Sequence, residues 1–410
     1  MDFQIVLNSN PWFSAVTDYS LQLARFVSAK QTSRVIYCAP AGSLALRKAN
    51  QSSLQTNALP LFPFTITRFF AAWHALGELV KSHKPSVVWI FEGREHTLCA
   101  LHRLVHKKTW ASTRLVRVRG QAAPVRSTAL NKWVYTRGIS GVAFAAQVVQ
   151  QRTEFSVPDN QQKVHLYCTA KLMEPALSID SAPQQLAVSR DWSIDFSQPT
   201  FTLVGRYDPV KGHAETIEAL AIANFKPYLK EGQWLQLVFL GESQNVSAID
   251  LFEKAQSTLG ATGRALSSSR WLVEVPEKRI RLLLIDERVR DIAVWMRQSS
   301  FGLIPSLGSE VICRVAVEFL QQGTPIVSSN VGALAEVLPR SCALIYEHSR
   351  VQELASALEK ALVLCNQPDA LKIMRRNALE QGRRFGPEGW NGLITWARAL
   401  EPFCESNRSQ

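Results

Sequence analysis

The sequence lacks the features that mark membrane-spanning, secreted or metal-binding chains. No stretch reaches the roughly 18 consecutive apolar residues that a membrane span needs. Met1 is followed by the acidic Asp2 and not by a basic segment, so we expect no signal peptide. The seven cysteines are scattered and form no Cys-x-x-Cys pair, which indicates free thiols without a zinc site or a disulfide framework. The sequence therefore favours a cytoplasmic protein.

Acidic residues are also missing from one long segment, residues 96–153, which we call the basic segment. It supplies ten cations to a chain whose net charge is +12: Arg103, Lys107, Lys108, Arg114, Arg117, Arg119, Arg126, Lys132, Arg137 and Arg152. Such a field attracts an anionic partner, which could be a lipid surface, a phosphorylated acceptor or nucleic acid. The plain alternative is a solvated basic face that only aids solubility.

The length of 410 residues indicates two domains, because single cores stop growing at about 250–300 residues. Short β-branched or apolar runs alternate with helical patterns along the chain, which predicts βαβ units and parallel sheets. The predicted strands of the first half are residues 3–7, 34–38, 86–91, 114–118, 141–145 and 163–167. Those of the second half are residues 200–204, 235–240, 271–275, 301–304 and 325–328.

A polar stretch at residues 178–199 separates these two series and reads as a connection between domains. We therefore expect an N-terminal domain at 1–180, a C-terminal domain at 190–385, and a final helix within 386–410. That helix has no following strand, so it is expected to pack back across the interdomain surface. Open parallel sheets bind ligands at the carboxyl ends of their strands. Two such sheets that face each other would make one cleft for a reaction between two substrates.

The most specific motif of the second half contains two glutamates. Pro305-Ser306 follows a predicted strand, Glu310 lies at the predicted loop–helix junction, and Glu318 comes eight residues later. The Gly323-Thr-Pro-Ile-Val run then ends the helix and begins a strand. Unpaired N–H groups at the start of this helix could hold a phosphate, and the second carboxylate could bind the hydroxyls of a ribose. Alternatively, Glu310 only caps the helix and Glu318 is solvated.

A second motif, Val-Gly-Arg-Tyr-Asp-Pro-Val-Lys-Gly, comes directly after the strand at 200–204. Gly205 allows the backbone to approach a ligand closely. Arg206 offers a bidentate fork for phosphate oxygens, and Lys211 offers a mobile point charge. Two such cations would stabilise the charge that grows on a leaving diphosphate, by several kcal/mol. Taken alone, the same residues could form an ordinary turn.

The order of these motifs resembles glycosyltransferase family 4. The resemblance rests on Val-Gly-Arg-x-x-x-x-Lys-Gly, a later Pro-Ser, two glutamates eight residues apart, and Gly-x-Pro-Ile-Val. It implies an α/β protein of the GT-B fold, with two Rossmann-like domains facing a central cleft. It also implies retaining, metal-independent transfer from a nucleotide sugar. The family usually has Gly-Phe-Gly after the first glutamate, where this chain has Val311-Ile312-Cys313.

The resemblance also implies roles for individual residues. Arg206 and Lys211 would hold the diphosphate, Glu310 would contact the donor sugar, and Glu318 would bind the ribose. The backbone of Val311, Ile312 and Cys313 would meet the sugar and phosphate. The region around Gly241 and the segment 273–278 would lie near the nucleoside. We therefore predict Arg206, Lys211 and Glu310 as catalytic residues, with Gly205, Gly241, Val311, Ile312, Cys313 and Glu318 as further donor contacts.

The N-terminal half offers weaker candidates for the acceptor side. Glu95 and His96 follow the predicted strand at 86–91, where residues of a cleft belong, although a structural role is equally open. Arg119 lies in an Arg-x-Arg-Gly run that is followed by basic residues. This pattern is similar to that of members of the same glycosyltransferase family that act on lipopolysaccharide core or related envelope glycans. The expected partners are a nucleotide sugar and an anionic glycan or glycolipid acceptor. The basic segment would meet that acceptor or the inner face of the membrane.

No Asp-x-Asp occurs in the sequence, so the metal clamp of GT-A enzymes is missing and we expect neither a metal nor another cofactor. Two alternatives stay open at this point. One is a sugar-nucleotide epimerase or hydrolase on the same fold. The other is a basic nucleic-acid-binding protein, although the cations are not interleaved with a regular aromatic platform and we expect no nucleic acid.

Overall fold

The computed structural model describes residues 2–12, 14–30, 32–63, 65–121, 123–164, 192, 194–289, 292–308, 310–311 and 313–402. The chain divides into two compact units. The N-terminal unit comprises Met1–Lys171 together with Phe385–Gln410, and the C-terminal unit comprises Leu172–Arg384. Each unit contains its own β-sheet, as the alternation of strands and helices predicts.

The N-terminal unit is built on a seven-stranded sheet in the order β3-β2-β1-β4-β5-β6-β7, and every strand pair is parallel. Its strands are β1 (Asp2–Leu7), β2 (Ser33–Pro40), β3 (Gln55–Leu59), β4 (Val87–Ile90), β5 (Arg114–Arg119), β6 (Gly141–Phe144) and β7 (Gln162–Val164). Residues 165–167 of the last predicted strand lie outside the described residues. The sequence patterns missed β3, whose Gln55–Leu59 run is polar and partly exposed.

The helices of this unit are α1 (Ala15–Ser28), α2 (Leu44–Gln51), α3 (Ile66–His83), α4 (Gly93–Val105), α5 (Ala129–Thr136) and α6 (Gln147–Gln151). Several begin at a side-chain cap, which satisfies N–H groups that the helix itself leaves unpaired. Ser14 accepts a hydrogen bond from the backbone of Thr17, and Thr65 accepts one from the backbone of Arg68. These local signals explain where α1 and α3 begin.

The C-terminal unit contains an eight-stranded sheet in the order β10-β11-β12-β9-β8-β13-β14-β15. Its strands are β8 (Thr200–Val204), β9 (Leu235–Gly241), β10 (Thr262–Ser267), β11 (Arg270–Val275), β12 (Ile280–Asp286), β13 (Phe301–Ile304), β14 (Ile326–Ser329) and β15 (Ala343–Tyr346). Side chains of alternate residues enter a core on each face, as in a sheet covered on both sides. Leu237 and Phe239 of β9 join one cluster, whereas Val238 and Leu240 join the other.

This sheet is not wholly parallel, which corrects the expectation from the sequence. β10, β11 and β12 form an antiparallel extension, and β12 then runs parallel to β9. The sequence patterns missed β10, β12 and β15. Tight turns of two to four residues join β10 to β11 and β11 to β12, so these strands need no crossover helix, and the βαβ interpretation fails here.

The helices of the C-terminal unit are α7 (His213–Ile222), α8 (Ala248–Leu259), α9 (Ile292–Gln298), α10 (Arg314–Gln321), α11 (Leu334–Val337), α12 (Val351–Cys365) and α13 (Pro368–Arg383). Helix α8 shows clear sequence control of both ends. Ser247 and Asp250 form a reciprocal capping box, and Gly260 ends the helix at a φ of 60°. None of the described helices is long and apolar enough to cross a membrane.

The last helix, α14 (Pro387–Ala399), belongs to the N-terminal unit although it follows the C-terminal unit in the chain. Its Trp390 is fully buried and stacks on Tyr19 and Phe26 of α1, with ring centroids 4.7 and 5.9 Å apart. Arg114 Nε donates to the carbonyl oxygen of Leu400 at 2.6 Å. Removal of this helix would therefore expose core surface of the N-terminal unit.

Both strand orders reverse direction once, and such a switch point opens a crevice at the carboxyl ends of the strands. In the N-terminal sheet, the reversal lies between β1 and β4. In the C-terminal sheet, it lies between β8 and β13. The loops that follow these four strands are the places where each unit can bind a ligand.

Candidate active site

The two motifs of the second half meet at the switch point of the C-terminal sheet. The motif with Gly205, Arg206 and Lys211, which we call the Gly-Arg-Lys motif, follows β8. The loop with the first glutamate, Glu310, follows β13, the strand that pairs with β8. The two loops are in direct contact, because the backbone N–H of Leu307 donates to the carbonyl oxygen of Val210 at 2.9 Å. The fold therefore brings together residues that are about one hundred positions apart in the sequence.

Glycines allow the loops at this edge to approach so closely. A Cβ atom at Gly241 would lie 2.0 Å from the carbonyl oxygen of Gly205, and one at Gly212 would lie 2.0 Å from that of Pro305. Gly212 also has a φ of 75°, a conformation that favours glycine. The close packing fixes the loop after β8 against its neighbours on both sides.

The centre of this site is an ion pair between Lys211 and Glu310. Lys211 Nζ lies 2.5 Å from Glu310 Oε1, which also accepts a hydrogen bond of 2.7 Å from Ser306 Oγ. The Glu310 side chain is only 5% exposed, whereas that of Lys211 is 28% exposed. The carboxylate of Glu310 is thus nearly buried and held by Ser306, whereas the side chain of Lys211 stays partly accessible to solvent.

Arg206 lies on the open side of the same loop. Its side chain is 54% exposed, and its Nε lies 3.4 Å from Asp208 Oδ2. Asp208 is itself held by the backbone N–H of Val210 and by Asn245 Nδ2, at 3.1 and 2.8 Å. The hydrogen bond from Val210 is the main cause that lowers the pKa of Asp208. Because that carboxylate is fixed, it can orient the mobile guanidinium of Arg206.

The loop that carries Glu310 is longer than the spacing predicts. Helix α10 begins at Arg314, so Glu310 lies in the loop and not at the first turn. Its backbone carbonyl accepts a hydrogen bond of 2.7 Å from the N–H of Ala333. A Cβ at Gly332, in the loop after β14, would come within 2.2 Å of the same oxygen. The loop after β14 thus fixes the position of Glu310.

Two of the three predicted donor contacts after Glu310 lie within the described residues. Val311 and Cys313 are buried in the loop, at 9% and 6% exposure. Burial and the nearby Glu310 raise the pKa of the Cys313 thiol, which therefore stays protonated. Ile312 lies outside the described residues. The backbone roles assigned to these three positions stay predictions.

Glu318 lies one turn into α10 and is partly exposed, although its neighbours in the sequence, Val317 and Phe319, are buried. The loop before the helix separates it from Glu310, so the two carboxylates do not share one helix as the sequence suggested. Its assignment to a ribose stays a prediction. The two glutamates therefore play different structural parts: one is fixed in a loop, and the other projects from a helix.

The segment 273–278 does not lie near Gly241, which corrects the prediction for the nucleoside side. Val275 pairs with Ile280, which pairs with Leu235 at the start of β9, so the segment lies at the amino edge of the sheet. Lys278 Nζ instead donates to the carbonyl oxygens of Leu220, Ala221 and Ala223 at the end of α7. The segment lies at this edge because β11 runs antiparallel to β12, so the end of β11 lies beside the start of β12.

Two residues that the sequence patterns missed occupy the carboxyl edge beside Gly241. Asp286 ends β12 and pairs with Gly241 in the register of the sheet. Its two carboxylate oxygens accept from the backbone N–H and the Oγ of Ser243, both at 2.6 Å. The signal could have been found in the apolar run at 282–285, which is typical of a strand and is followed directly by Asp286.

His213 follows the Lys-Gly turn but does not reach the open edge. It is 2% exposed and packs between the rings of Tyr207 and Phe239, at centroid distances of 5.0 and 5.2 Å. Burial lowers its pKa to about 3, with Lys211 adding to the effect. The imidazole is therefore neutral at physiological pH and serves as a packing residue.

In the N-terminal unit, Glu95 and His96 are buried inside the protein, at 0% and 1% exposure. Glu95 Oε1 accepts from the backbone N–H groups of Phe91 and Glu92, at 3.0 and 2.5 Å, and Oε2 accepts from Ser9 Oγ. Glu95 thus ties the loop after β1 to the loop after β4. Burial also lowers the pKa of His96 well below its ordinary value, so this ring is neutral.

Arg119 and its neighbour Arg117 lie at the end of β5, only 6% and 2% exposed. Arg119 Nη2 donates to the carbonyl oxygen of Ala123, and Arg117 Nη2 donates to Gln121 Oε1 at 3.1 Å. Together with Arg103, three of the ten cations of the basic segment are therefore buried. Surface charge comes from the others, such as the exposed Arg126 and Lys132.

The N-terminal switch point holds a cavity of about 650 Å³, which we call the N-terminal cavity. It is lined by Ser9, Asn10, Pro11, Trp12, Phe62, Phe69, Glu92, Gly93, Arg94 and Thr97. The predicted acceptor residues Glu95, His96 and Arg119 are not among them. Glu95 instead supports this cavity through its contacts with Ser9 and Glu92, and the direct acceptor roles of the three residues stay predictions.

In the part of the chain that the structure describes, no group of three His, Cys, Asp or Glu side chains is placed to hold a metal ion. The charged groups described above at the C-terminal switch point are the cations Arg206 and Lys211 and the fixed carboxylates Asp208 and Glu310. The two cations can bind an anion through the partly exposed side chains of Arg206 and Lys211.

Comparison with known proteins is consistent with these features. Residues 198–363 match the family model described as glycosyl transferases group 1. No curated protein matches the chain. Among solved structures, a glycosyltransferase from Rickettsia africae ESF-5 is similar over 96% of this chain and 97% of its own, at 11% identity and a TM-score of 0.71.

Two further solved structures resemble the chain over nearly its whole length. Anabaena Alr3699/HepE in complex with UDP has 15% identity and a TM-score of 0.68, covering 96% of this chain and 98% of its own. The lipopolysaccharide outer core galactosyltransferase WaaB, in its apo form, has 11% identity and a TM-score of 0.63, covering 96% and 99%. At these identities the likeness shows the fold.

The fold is therefore GT-B, with two Rossmann-like domains, and this prediction from the sequence is confirmed. The C-terminal unit carries a glycosyltransferase group 1 domain, which contains both the Gly-Arg-Lys motif and the two glutamates. The protein is an enzyme, a glycosyltransferase.

Proposed function

We propose that this enzyme is a retaining, metal-independent glycosyltransferase that uses a nucleotide-sugar donor. The C-terminal unit binds the donor at its switch point, and the N-terminal unit binds the acceptor. The observation that carries the proposal is the convergence of Lys211, Glu310 and Arg206 from two loops of the group 1 domain. The two cations fit the diphosphate of a nucleotide sugar, and the carboxylate fits the hydroxyl groups of its sugar.

The two cations account for the charge chemistry of the transfer. When the bond between sugar and phosphate breaks, negative charge grows on the leaving diphosphate. Fixed positive charges that meet it lower the barrier by electrostatic stabilisation, and removal of one such group costs about 10²–10³ in rate. Lys211 and Arg206 supply this charge without a metal. Lys211 leaves its partner Glu310 as the diphosphate binds, and the carboxylate then faces the donor sugar.

Retention without a protein nucleophile requires that the leaving phosphate guide the acceptor hydroxyl on the same face of the sugar. The geometry of the bound donor then dominates the rate, because a fixed near-attack arrangement removes an entropic cost. The close packing of Gly205 against Gly241, and of Gly212 against Pro305, supplies such a fixed edge. Glu318 and the backbone of residues 311–313 complete the donor contacts in this proposal.

The nucleotide is proposed to be a uridine diphosphate. HepE, which shares the fold, has been solved with UDP and with UDP-glucose, and this supports UDP-sugars as the first donors to test. The proposed nucleoside contacts are Asp286 and Ser243, and their position at the carboxyl edge beside Gly241 supports this assignment. This assignment replaces the segment 273–278 of the sequence-based prediction.

The acceptor is proposed to be an anionic glycan or glycolipid of the cell envelope, reached from the cytoplasmic face of the membrane. The exposed cations of the basic segment attract anionic groups, and each cation near an anionic lipid surface contributes about 1 kcal/mol. The similarity in fold to WaaB supports a lipopolysaccharide-type acceptor. Sedimentation with anionic and neutral liposomes tests the membrane part, because binding indifferent to lipid charge would remove it.

The donor part is tested by thermal-shift measurements against a panel of nucleotide sugars, with chelator present throughout. We expect UDP and at least one UDP-sugar to raise the melting temperature, and chelator to leave the shift unchanged. Incubation with the stabilising donor but without acceptor then separates transfer from rival reactions. Rapid epimerisation or stoichiometric hydrolysis would contradict the proposal, as would the absence of any shift with nucleotide sugars.

A further inference from the structure

The N-terminal cavity has the position and size of a ligand site in its own right. It lies at the carboxyl ends of β1 and β4, the two strands between which the order of the sheet reverses. Its volume of about 650 Å³ falls within the range of roughly 300–1,000 Å³ that small-molecule sites occupy. Its walls combine exposed aromatic rings with a few polar side chains, so their chemistry indicates the class of ligand.

Trp12 forms the rim of the cavity and is 74% exposed, the second-largest exposure among the large apolar side chains of the described residues. Its backbone is held on both sides. The N–H of Trp12 donates to Asn10 Oδ1, and its carbonyl accepts from Thr17 Oγ1, both at 2.9 Å. The loop thus presents an indole ring to solvent from a fixed backbone, which costs free energy unless a ligand covers the ring.

Glu92 supplies a polar part of the lining, and the side-chain amides of Gln121 and Asn10 orient its carboxylate. Gln121 Nε2 donates to Oε2 at 2.8 Å, and Asn10 Nδ2 approaches Oε1 at 3.5 Å. Gln121 in turn accepts from the buried Arg117 at 3.1 Å. This chain of contacts, together with the backbone N–H of Glu95 that donates to the same side chain, holds the carboxylate in place but leaves Glu92 partly exposed. A carboxylate has about four acceptor positions, so it has capacity for a donor from a ligand.

The charge of the wall decides which ligands suit it. A fixed carboxylate accepts hydrogen bonds from hydroxyl groups and repels phosphate or carboxylate groups. The one cation of the lining, Arg94, is exposed and lies over the ring of Phe62, 5.4 Å from its centroid. An aromatic face beside a carboxylate is complementary to a sugar ring, which has one apolar C–H face and an edge of hydroxyls.

We propose that the N-terminal cavity binds a neutral sugar ring, with its apolar face on Trp12 and its hydroxyls donating to Glu92. If the proposed function holds, this ring is the residue of the acceptor that receives the transferred sugar. The anionic groups of that acceptor then lie outside the cavity, where the exposed cations of the basic segment can meet them. Trp12 and Glu92 thereby select the acceptor ring.

Saturation-transfer NMR on the full chain tests the binding directly. The probes are the methyl glycosides of glucose, galactose, mannose and N-acetylglucosamine, and glucose 6-phosphate as an anionic counterpart. We expect transfer to the ring protons of at least one neutral glycoside and weaker transfer to the phosphate. Trp12→Ala should weaken binding about three- to tenfold. Phe70→Ala is the matched control, since Phe70 is 64% exposed but does not line the cavity.

Glu92 is tested with two variants. Glu92→Ala removes the acceptor atoms and should abolish the signal, whereas Glu92→Gln keeps the shape and one oxygen and should retain part of it. The proposal is overturned if no neutral glycoside receives saturation, or if only glucose 6-phosphate receives it. It is also overturned if the Trp12→Ala variant binds the glycosides as tightly as the unmodified protein does. Melting temperatures of all variants show whether a lost signal reflects a lost fold.

The failure of this proposal can be told apart from failure of the proposed function. The UDP-induced thermal shift reports on the C-terminal unit alone, so it should be the same in Trp12→Ala, Glu92→Ala and the unmodified protein. A normal UDP shift without glycoside binding would reject the sugar-ring site and keep the donor site. Glycoside binding without a UDP shift would reject the donor assignment and keep the cavity.

Discussion

The two switch points of this enzyme have opposite character. In the C-terminal sheet the loops are in contact, so a single added Cβ at Gly241 would come within 2.0 Å of a backbone oxygen. In the N-terminal sheet the corresponding loops enclose about 650 Å³, and a Cβ at Gly93 would meet no atom within 4 Å. A closed edge suits a ligand part that never changes, such as a diphosphate. An open edge suits the variable substrate.

The electrostatics of the two edges differ in the same sense. The closed edge presents Arg206 and Lys211 to solvent and keeps its carboxylate, Glu310, nearly buried. The open edge presents the carboxylate of Glu92 together with the exposed Arg94, and keeps the nearby Arg117 nearly buried. Each buried group orients an exposed one, so the closed edge offers cations to its ligand whereas the open edge offers a carboxylate beside a cation. The predictions below test this contrast.

The largest effect is expected at the closed edge, from Lys211→Ala. Loss of a positive charge that meets the leaving diphosphate should lower the rate of transfer about 10²–10³-fold. Lys254→Ala is the matched control, because Lys254 pairs with Glu218 at 2.7 Å on the surface of the same unit. Steady-state kinetics with a UDP-sugar donor compare the two. A rate for Lys211→Ala within tenfold of the control would reject the catalytic role of Lys211.

Stability has to be separated from catalysis in this variant. Removal of Lys211 leaves Glu310 buried without its cation, and breaking a buried pair can cost about 3–5 kcal/mol. The double variant Lys211→Ala with Glu310→Gln removes that buried charge. Its melting temperature should recover toward that of the unmodified protein, while its rate stays low. Recovery of both the melting temperature and the rate of transfer would mean that Lys211 contributes only to stability.

The second prediction compares the two edges through glycine. In Gly241→Ala, the new Cβ must displace the loop that carries Arg206 and Lys211, at a cost of about 1–3 kcal/mol. The affinity for UDP should fall with it. Gly93→Ala should leave both the melting temperature and the UDP shift nearly unchanged. Equal effects of the two substitutions would remove the distinction between a closed and an open edge.

Much of the fold was predictable from the sequence, because periodicity and chain order carry that information. Most strands were found at their observed positions, the alternation of strands and helices predicted two α/β domains, and the family resemblance implied the GT-B fold. β3 escaped because its residues are polar and partly exposed, and β10 and β12 escaped because an antiparallel extension breaks the βαβ rule. Direction is set by tertiary pairing, which a local pattern does not encode.

The candidate site was predictable only in its motifs. The spacing of Gly205, Arg206 and Lys211 indicated phosphate chemistry, but no pattern shows that Lys211 and Glu310 lie 2.5 Å apart. On the N-terminal side the sequence drew attention to Glu95 and His96, whereas the cavity is lined by Glu92, three residues earlier. Neighbouring carboxylates in one short run look alike until burial distinguishes them.

The third prediction concerns the open edge and its dependence on pH. Burial, aided by the nearby Glu95, raises the pKa of Glu92, although Arg117, Asn10 and Gln121 oppose the shift. Glu92 should therefore protonate at a higher pH than an ordinary glutamic acid, and it then loses the charge that strengthens its hydrogen bonds from hydroxyls, although one neutral acceptor oxygen remains. The KM for the acceptor should rise about tenfold as the pH falls, since a hydrogen bond to a charged group contributes about 1.5–3 kcal/mol.

Kinetics of Glu92→Gln as a function of pH check this assignment. The acceptor KM of the variant should be higher at neutral pH and flat across the acidic range, because the amide does not titrate there. The donor KM should have the same pH profile in both proteins, since the donor binds in the other unit. A pH-dependent acceptor KM that persists in Glu92→Gln would assign the titration to another group.

The smallest effect is expected far from both edges, where Arg398 of α14 pairs with Asp2 of β1. The two side chains are 40% and 21% exposed, and pairs of this kind contribute about 1 kcal/mol or less. Arg398→Ala should lower the melting temperature by a few degrees at most, with Arg384→Ala as an exposed control.

The contribution of this pair should also depend on pH. Burial raises the pKa of Asp2, but hydrogen bonds from Ser86, Gln4 and Arg398 outweigh it and leave that pKa below its ordinary value. The stabilisation is thus present above the pKa of the unfolded carboxyl and lost as the pH falls through the folded one, so the difference between Arg398→Ala and the unmodified protein should vanish in acid. A difference that grows in acid would mean that Arg398 stabilises α14 through another contact.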